Sequence, residues 1–465
     1  MWSPEIGLAI LALFFIYREL GTFPVSWIDE GYFVMTAKTL AAGHGYAMPI
    51  LGKLWYFPYF LAVGPTVILP TALSLQLFGL SLAAARLPMT VYLLGTCVVM
   101  YVFTRQIAGR ESARWSTLLL VTLSAFVNTG KPVLGEVPGF FFLLVGISLM
   151  SSVNGQDRHA TKYDIAAGVA FGLSVMTKLT FGLVYPALGL LWCIALATRQ
   201  WKIWKSLTVI LCIAIAIYLP WYVLEFSAGG RTIDEIFLYL SSGIDNDTVF
   251  LNVLRRMPEL LLRLPFVAFG IFLLLGGTGL ARLRSRIPWT QWGVIVLLIG
   301  FFTFYTFNLY GWYRHLLAAH LLLLPFVPVG AAKLFGKKFA IVVLVSIAIA
   351  QGIWQFQHRG AGRGSALAET VRIVQQDYAT TDLLIEHSEV FAQLPENPHW
   401  LFLMRERLSP TITDPIVIPD SMRCFAHLRK LNETEIPQYE KTGKPVGSYW
   451  IIPSPEPGCP RIISR

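Results

Sequence analysis

Charge is what this sequence has least of. Only 14% of its 465 residues are Asp, Glu, Lys or Arg, against about a quarter in soluble domains, and that scarcity excludes an ordinary water-soluble globular chain. Cysteine is sparse too, five in all, which excludes a disulfide-built scaffold. The first apolar segment lacks a basic start and a small-residue cleavage site, so it reads as a retained helix rather than a removed signal peptide. No internal repeat relates two halves of the chain, as many secondary transporters would show. His315 and His320 lie five apart, off the i, i+4 spacing of a helical metal pair, and no metal is assigned.

Hydrocarbon is what is abundant. Hydrophobic residues make up 55% of the chain and mean hydropathy is +0.59, the composition of a polytopic membrane protein. Apolar segments near the ~20 residues needed to cross a bilayer cover Ile6–Phe23, Ala83–Thr104, Trp115–Asn128, Val137–Ser151, Ile165–Met176, Phe181–Ala197, Leu207–Leu224, Leu261–Leu280, Trp292–Leu309, Leu316–Ala332 and Phe339–Gln355. The formal net charge of +10 sits mostly in short loops between them, where it reports membrane orientation and not nucleic-acid binding. Arg105, Arg110 and Arg114; Arg158 and Lys162; Arg199, Lys202 and Lys205; Arg282, Arg284 and Arg286; and Lys333, Lys337 and Lys338 mark cytoplasmic loops. The topology that follows has roughly eleven crossings, a cytoplasmic N-terminus and an outward C-terminal region.

The stretch Pro58 to Gly79 is apolar enough to cross, but Pro58, Gly64, Pro65 and Pro70 break a continuous helix and make it juxtamembrane. In the same outer loop Phe33, Ala37, Leu40 and Ala41 share one helical face, as in a short helix lying in the interface. The loop from Trp27 to Leu82 therefore reads as a lid over a cavity. Residues 1–357 form the membrane domain and 358–465 an extracytoplasmic C-terminal domain. In the latter, Gly360 to Ser365 reads as a linker, Ala366 to Gln376 as a helix, and Asp382 to His387 and Ser448 to Pro453 as strands of a small α/β domain. Cys424 and Cys459 share it and would pair in an oxidising compartment. The sequon-like Asn432-Glu433-Thr434 reads as chance.

Asp29 and Glu30 stand together at the outer end of the first apolar segment. Ionisable side chains at a bilayer edge point to a functional site, the alternative being a solvated loop. Glu136, in the next outer loop, is either a substrate contact or a helix N-terminal acid favoured by the dipole. Arg86 and Arg314 flank outer turns, where forked guanidinium hydrogen bonds suit phosphate or an acceptor anion. Structural pairing with an outer-loop acid is the other reading of Arg86. Lys178 ends a helix on the same side, as a phosphate contact or a snorkelling lysine. The charged loop Glu225 to Arg263, with an amphipathic turn around Ile236 and Leu240, reads as solvated.

The order of short motifs carries a resemblance. Asp29-Glu30-Gly31-Tyr32, Leu40-Ala41-Ala42-Gly43, Leu77-Phe78-Gly79 and Ala85-Arg86-Leu87-Pro88 are followed by Val175-Met176-Thr177-Lys178, Leu219-Pro220-Trp221-Tyr222 and Tyr313-Arg314-His315-Leu316-Leu317. Together they resemble the family 39-type glycosyltransferases of GT-C fold, which include protein O-mannosyltransferases and bacterial lipid A aminoarabinose transferases. The likeness reaches to about Gly330. It implies an all-α polytopic membrane enzyme, with interfacial helices in its first outer loop, that moves a sugar from a polyprenyl-phosphate carrier to a lipid, glycan or protein acceptor on the outer face of a bacterial inner membrane.

By that resemblance Asp29 is the general base, with Glu30 orienting the acceptor or shifting the Asp29 pKa. Glu136 is the second acid, orienting substrate or contacting a metal, so that metal assistance stays open. Lys178 faces the carrier phosphate, joined by Arg86 and Arg314. The chain departs from many relatives at Val63-Gly64-Pro65, where they carry a Lys-Pro pair, and Lys53 is the candidate substitute. A lipid-linked glycan ligase or polymerase, and a secondary transporter, are the competing classes.

Overall fold

The computed structural model describes residues 3–58, 61, 63–150, 160–228, 258, 262–308, 312–357, 361–404, 420–454 and 459. From the N-terminus the chain forms α1 (Pro4–Tyr17), α2 (Ile28–Ala41), a hairpin of β1 (Ala47–Ile50) and β2 (Lys53–Tyr56), α3 (Pro65–Phe78) and α4 (Leu82–Ala108). There follow α5 (Arg110–Thr122), α6 (Ser124–Gly130), α7 (Glu136–Leu149), α8 (Ala160–Thr177), α9 (Val184–Ala197), α10 (Trp201–Ala228), α11 (Leu264–Arg282), α12 (Trp289–Asn308), α13 (Tyr313–Leu323) and α14 (Val327–Gln357). Among the described residues, 6 helical stretches are long and apolar enough to cross a membrane. The helices α1, α3 and α7 are apolar but have 14 residues each; at ~1.5 Å per residue each is about 21 Å long, short of a ~30 Å hydrocarbon core.

Within the described residues, the apolar segments expected from the sequence fall on helix, with three differences at the boundaries. The first helix stops at Tyr17, and the chain runs on to Trp27 without regular structure. The segment Trp115 to Asn128 is two helices, because Leu123 takes extended angles between them (φ −69°, ψ 104°). The last two segments meet inside α14 at Gly336, whose φ of 76° breaks the helix within the basic Lys333–Lys338 turn. Arg158 and the loop charges from Arg231 to Arg256 lie outside the described residues.

Three of the basic loops meet at one end of the bundle. Arg110 and Arg114 donate through Nε to Glu5 Oε1 at 2.8 and 2.9 Å, and Trp289 Nε1 donates to Gln200 Oε1 at 3.0 Å. Gln106 and Arg286 line one hollow there. The acids of the first outer loop lie at the opposite end of α1.

The helix α2 departs from the expected one-faced interfacial helix. Every residue from Glu30 to Ala37 is buried, because α3, the hairpin and the C-terminal region cover it on different sides. Lys38, at the far end of α2, donates from Nζ to the Leu394 carbonyl at 2.7 Å.

The C-terminal region begins as helix, α15 (Ala361–Asp377), where a linker was expected. It continues through β3 (Leu383–Ile385), the single turn α16 (Ser388–Phe391), β4 (Trp400–Phe402), β5 (Ala426–Arg429), the short α17 (Ile436–Tyr439), β6 (Lys444–Val446) and β7 (Tyr449–Ile452). The strands order β4-β3-β5-β7-β6, with β3 parallel to β4 and β5 and the remaining pairs antiparallel. Cys424 and Cys459 are joined as a disulfide.

This domain is docked on α2. Leu384, Phe402, Leu403 and Met404 share one apolar cluster with Tyr32, Phe33 and Met35, Ser388 Oγ donates to the Ile28 carbonyl at 2.7 Å, and Leu51 N donates to Phe402 O at 2.9 Å. The closest approach is at Gly31, where a Cβ would lie 2.4 Å from the backbone of Ser388 and Glu389. Gly31→Ala would help an isolated helix but overpacks this contact, so it is expected to cost about 1–3 kcal/mol. Thermal unfolding with limited proteolysis reads the cost as a lower Tm and a C-terminal domain cleaved faster than in wild type.

Candidate active site

Asp29 and Glu30 are the acids of the first turn of α2, where the helix dipole favours negative charge. Successive residues of a helix point about 100° apart. The two carboxylates therefore face different partners.

Glu30 faces inward. Arg86 Nε and Nη2 grip its two oxygens at 2.7 and 2.6 Å, and neither side chain is exposed at all. The Val133 amide donates to Glu30 Oε1 at 3.0 Å, while Arg86 Nη1 and Nη2 donate to the carbonyls of Leu20 (3.0 Å) and Pro24 (2.8 Å). Glu30, expected to orient the acceptor or shift the Asp29 pKa, and Arg86, expected as a phosphate contact or the partner of an outer-loop acid, are placed as an enclosed pair whose hydrogen bonds go to protein. Arg86 has the outer-loop acid as its partner.

Asp29 faces the bundle. Its Oδ2 accepts from Arg314 Nη1 at 2.6 Å, with Asp29 39% and Arg314 14% exposed. Arg314 Nε lies 3.9 Å from Glu136 Oε1, which also accepts from Lys178 Nζ at 2.5 Å. Four expected residues, from α2, α13, α7 and the end of α8, so form a row of alternating charge: Asp29, Arg314, Glu136, Lys178. Glu136 and Lys178 are buried. Within this row Glu136 Oε2 and Arg314 Nε are buried with no hydrogen-bond partner, an acceptor and a donor left facing the interior.

The row is framed by apolar and backbone contacts. The Arg314 guanidinium lies between the rings of Trp27 (4.7 Å) and Trp312 (4.4 Å); neither tryptophan was singled out in the sequence, although each is within two residues of a charge that was. His315 packs against Tyr305 and Trp312. The stretch Val63-Gly64-Pro65 meets the end of α8 through its backbone: Val63 bridges to Lys178, and Gly64 N donates to Thr177 O at 3.1 Å. Lys53 is not brought to the row; it stands exposed on β2. Lys131, also not singled out, is buried, donates to Arg18 O at 2.7 Å, and is pushed down to about 8 by desolvation with Arg86 adding to it. His320 is buried against Tyr313 and Phe272 away from any second ligand, and among the described residues no His, Cys, Asp or Glu cluster has metal-holding geometry.

The two acids differ in what their loss should do. Glu30→Gln or Arg86→Met leaves an unpaired buried partner, expected to cost about 3–5 kcal/mol and read as lost monodisperse protein in size exclusion and a lowered Tm. Asp29→Asn, in a partly exposed pair, is expected to change stability by ~1 kcal/mol or less. Equal losses for the two would place Asp29 in the structural frame as well.

Residues 63–223 match the family model described as dolichyl-phosphate-mannose-protein mannosyltransferase. No curated protein sequence matches the chain. Among solved structures the chain superposes on ArnT from Cupriavidus metallidurans in the apo state, with a TM-score of 0.69 at 14% identity over 97% of each chain. The same protein bound to undecaprenyl phosphate gives a TM-score of 0.69 at 13% identity, covering 98% of this chain and 99% of that one. The archaeal oligosaccharyltransferase AglB from Archaeoglobus fulgidus, in complex with an inhibitory peptide and a dolichol-phosphate, gives 0.54 at 12% identity over 85% of this chain and 60% of its own. The chain therefore has the fold of the GT-C membrane glycosyltransferases, and its residues 63–223 match the dolichyl-phosphate-mannose-protein mannosyltransferase family.

Proposed function

We propose that the chain transfers a sugar from a polyprenyl-phosphate carrier to an acceptor hydroxyl or amine at the outer face of a bacterial inner membrane, with Asp29 as general base. The observation that supports this most is the row Asp29, Arg314, Glu136, Lys178, set at the end of the bundle away from the basic loops. The carrier is of the kind named in the ArnT and AglB structures, which hold undecaprenyl phosphate and a dolichol-phosphate.

When a sugar is transferred from a phosphate carrier, the carrier phosphate leaves as an anion. It needs cations around the departing oxygen, and no proton. Arg314 and Lys178 are the cations at hand, and each is already held by a carboxylate in the resting protein. A phosphate entering beside them exchanges one anionic partner for another, at a site whose low dielectric strengthens each contact. As the bond from the anomeric carbon to phosphate oxygen breaks, the acceptor atom bonds that carbon and its proton passes to a base. Asp29 suits that role better than Glu136: it is the more exposed acid and has one cation beside it, whereas Glu136 is 7% exposed and lies between two. Glu136 then holds Lys178 and Arg314 in place, with Oε2 available to a substrate hydroxyl.

Loss of a positioned base costs roughly 10²- to 10⁴-fold in rate, so Asp29→Asn is expected to abolish detectable transfer while the protein remains folded. Mass spectrometry of lipids extracted from cells lacking the gene, and from the same cells complemented with wild type or Asp29→Asn, tests this. A polyprenyl-phosphate sugar accumulating in the null and the Asp29→Asn cells, but not with wild type, names the donor. Three matching lipid profiles with normally expressed variant would overturn the transferase reading in favour of transport.

A further inference from the structure

The sheet of the C-terminal domain has an arrangement that the row of charges does not use. The chain leaves β3 toward β4 on one side, then enters β5 on the other side of β3 and leaves it toward β6 and β7. Adjacent parallel strands whose outgoing connections run to opposite sides create a crevice beyond their carboxyl ends, and open α/β sheets bind ligands there. In this chain the crevice is occupied by a cavity of about 250 Å³, lined by residues that directly follow β3 (His387, Ser388) and β5 (Lys430, Asn432). Its remaining wall is the first turn of α2, through Ile28 and Tyr32. Those two lie one turn apart on one face of the helix, and Asp29 directly follows Ile28 in sequence, turned about 100° from it. Strand topology and cavity are independent observations, and they coincide beside the turn that carries Asp29.

We propose that this cavity is an acceptor subsite that seats one sugar ring. The inference rests on the transferase reading above and adds which part of the molecule recognises the acceptor. The lining argues for a neutral, hydroxyl-bearing ligand. Its carboxylates are answered within the protein: Glu386 accepts from His427 Nδ1 at 2.8 Å, and Glu435 holds Arg429, so the wall offers no free pair of cations for a phosphate. The His387 ring is fixed, with Nε2 accepting from the Lys430 amide at 3.1 Å and Nδ1 facing Glu389 at 3.2 Å. What is left is an amide at Asn432, an ammonium at Lys430 and the apolar surface of Ile28 and Tyr32. Donors and acceptors facing an apolar wall are the complement of a pyranose, which has hydroxyls around its edge and C–H bonds on its faces. The cavity is smaller than the ~300–1,000 Å³ of drug-sized sites, which favours one ring over an oligosaccharide. Seated there, an acceptor sugar would reach the base from the side opposite to the membrane-embedded donor.

The test reads binding without turnover. Full-length protein in detergent is exposed to the methyl glycosides of N-acetylglucosamine, mannose and galactose, and saturation-transfer difference NMR records which of them contacts it. At least one glycoside is expected to show transfer with wild type and equally with Asp29→Asn, and to lose it with Asn432→Trp, whose indole fills the cavity from an exposed loop. Lys430→Ala, read in the same way, keeps the test open should Asn432→Trp fold poorly. Absence of transfer from all three glycosides, or transfer undiminished in Asn432→Trp and Lys430→Ala, would overturn the proposal. Because no product is measured, glycoside binding that survives while the lipid profiles agree would leave the cavity standing and remove only the transferase reading.

Discussion

Glu30 and Arg86, a carboxylate and a guanidinium with no exposure to water, hold the end of this molecule that carries Asp29 in one arrangement. Removing two such ions from solvent costs several kcal/mol each, and their attraction offsets that only where geometry and further hydrogen bonds are nearly complete. Here they are. The pair is bidentate, the Val133 amide meets a third direction of the carboxylate, and the carbonyls of Leu20 and Pro24 take the outward hydrogens of the guanidinium. Four segments are joined by these bonds: the irregular stretch after α1, the start of α2, the start of α4 and the turn before α7. Apolar side chains of equal volume would fill the same space without fixing where each backbone lies. The ions make one set of hydrogen-bond partners much better than its neighbours.

That fixed frame decides where Asp29 points. With Glu30 turned inward, helix geometry directs the preceding carboxylate toward α13, where Arg314 waits between two tryptophan rings. With two indole rings against it, the guanidinium bonds at its edges, where Nη1 meets Asp29 and Nε approaches Glu136. The alternation of sign along the row lowers the self-energy of four ions near a membrane edge. It also means that no single residue of the row can be exchanged for a neutral one without altering the partner of its neighbours. Mutational effects within it should therefore couple and not add.

Much of this was legible in the sequence, and the reasons are physical. Long apolar runs have few structural outcomes, so the helices could be read off their hydropathy, and scarce charges near a bilayer edge stand out: Asp29, Glu136, Lys178 and Arg314 were all singled out, and the structure brings them together. Glu30 and Arg86 were singled out too, and the pairing of Arg86 with an outer-loop acid was one of its two readings, but which of the two adjacent acids it meets is decided only by the helix phase. The burial of α2 was hidden for a different reason. A one-faced pattern of Phe33, Ala37 and Leu40 cannot announce that a domain more than three hundred residues later will cover the other faces. The β1–β2 hairpin left only the weak signal of Leu51-Gly52, both at positive φ, between two short strands. Helix at Ala361 went unread because glycines normally mark a linker.

The position of α2 has a consequence for how the two halves of the proposed reaction are separated. One side of its first turn faces the row of charges, at the end of a bundle whose outward surface is apolar and suited to a polyprenyl chain. The other side faces the C-terminal domain and its polar cavity. Donor and acceptor chemistries differ in just this respect: a lipid-linked anion requires cations beside hydrocarbon, and a hydroxyl-bearing acceptor requires neutral hydrogen-bonding groups beside water. A single helical turn separates the two environments. Because Gly31 leaves no space between that turn and the domain, and Glu30 no slack between it and the bundle, the carboxylate at its edge is held by both. A base placed as proposed for Asp29 needs no large closure to meet both substrates, since the domain proposed to shape the acceptor side is already docked on the helix that carries the carboxylate.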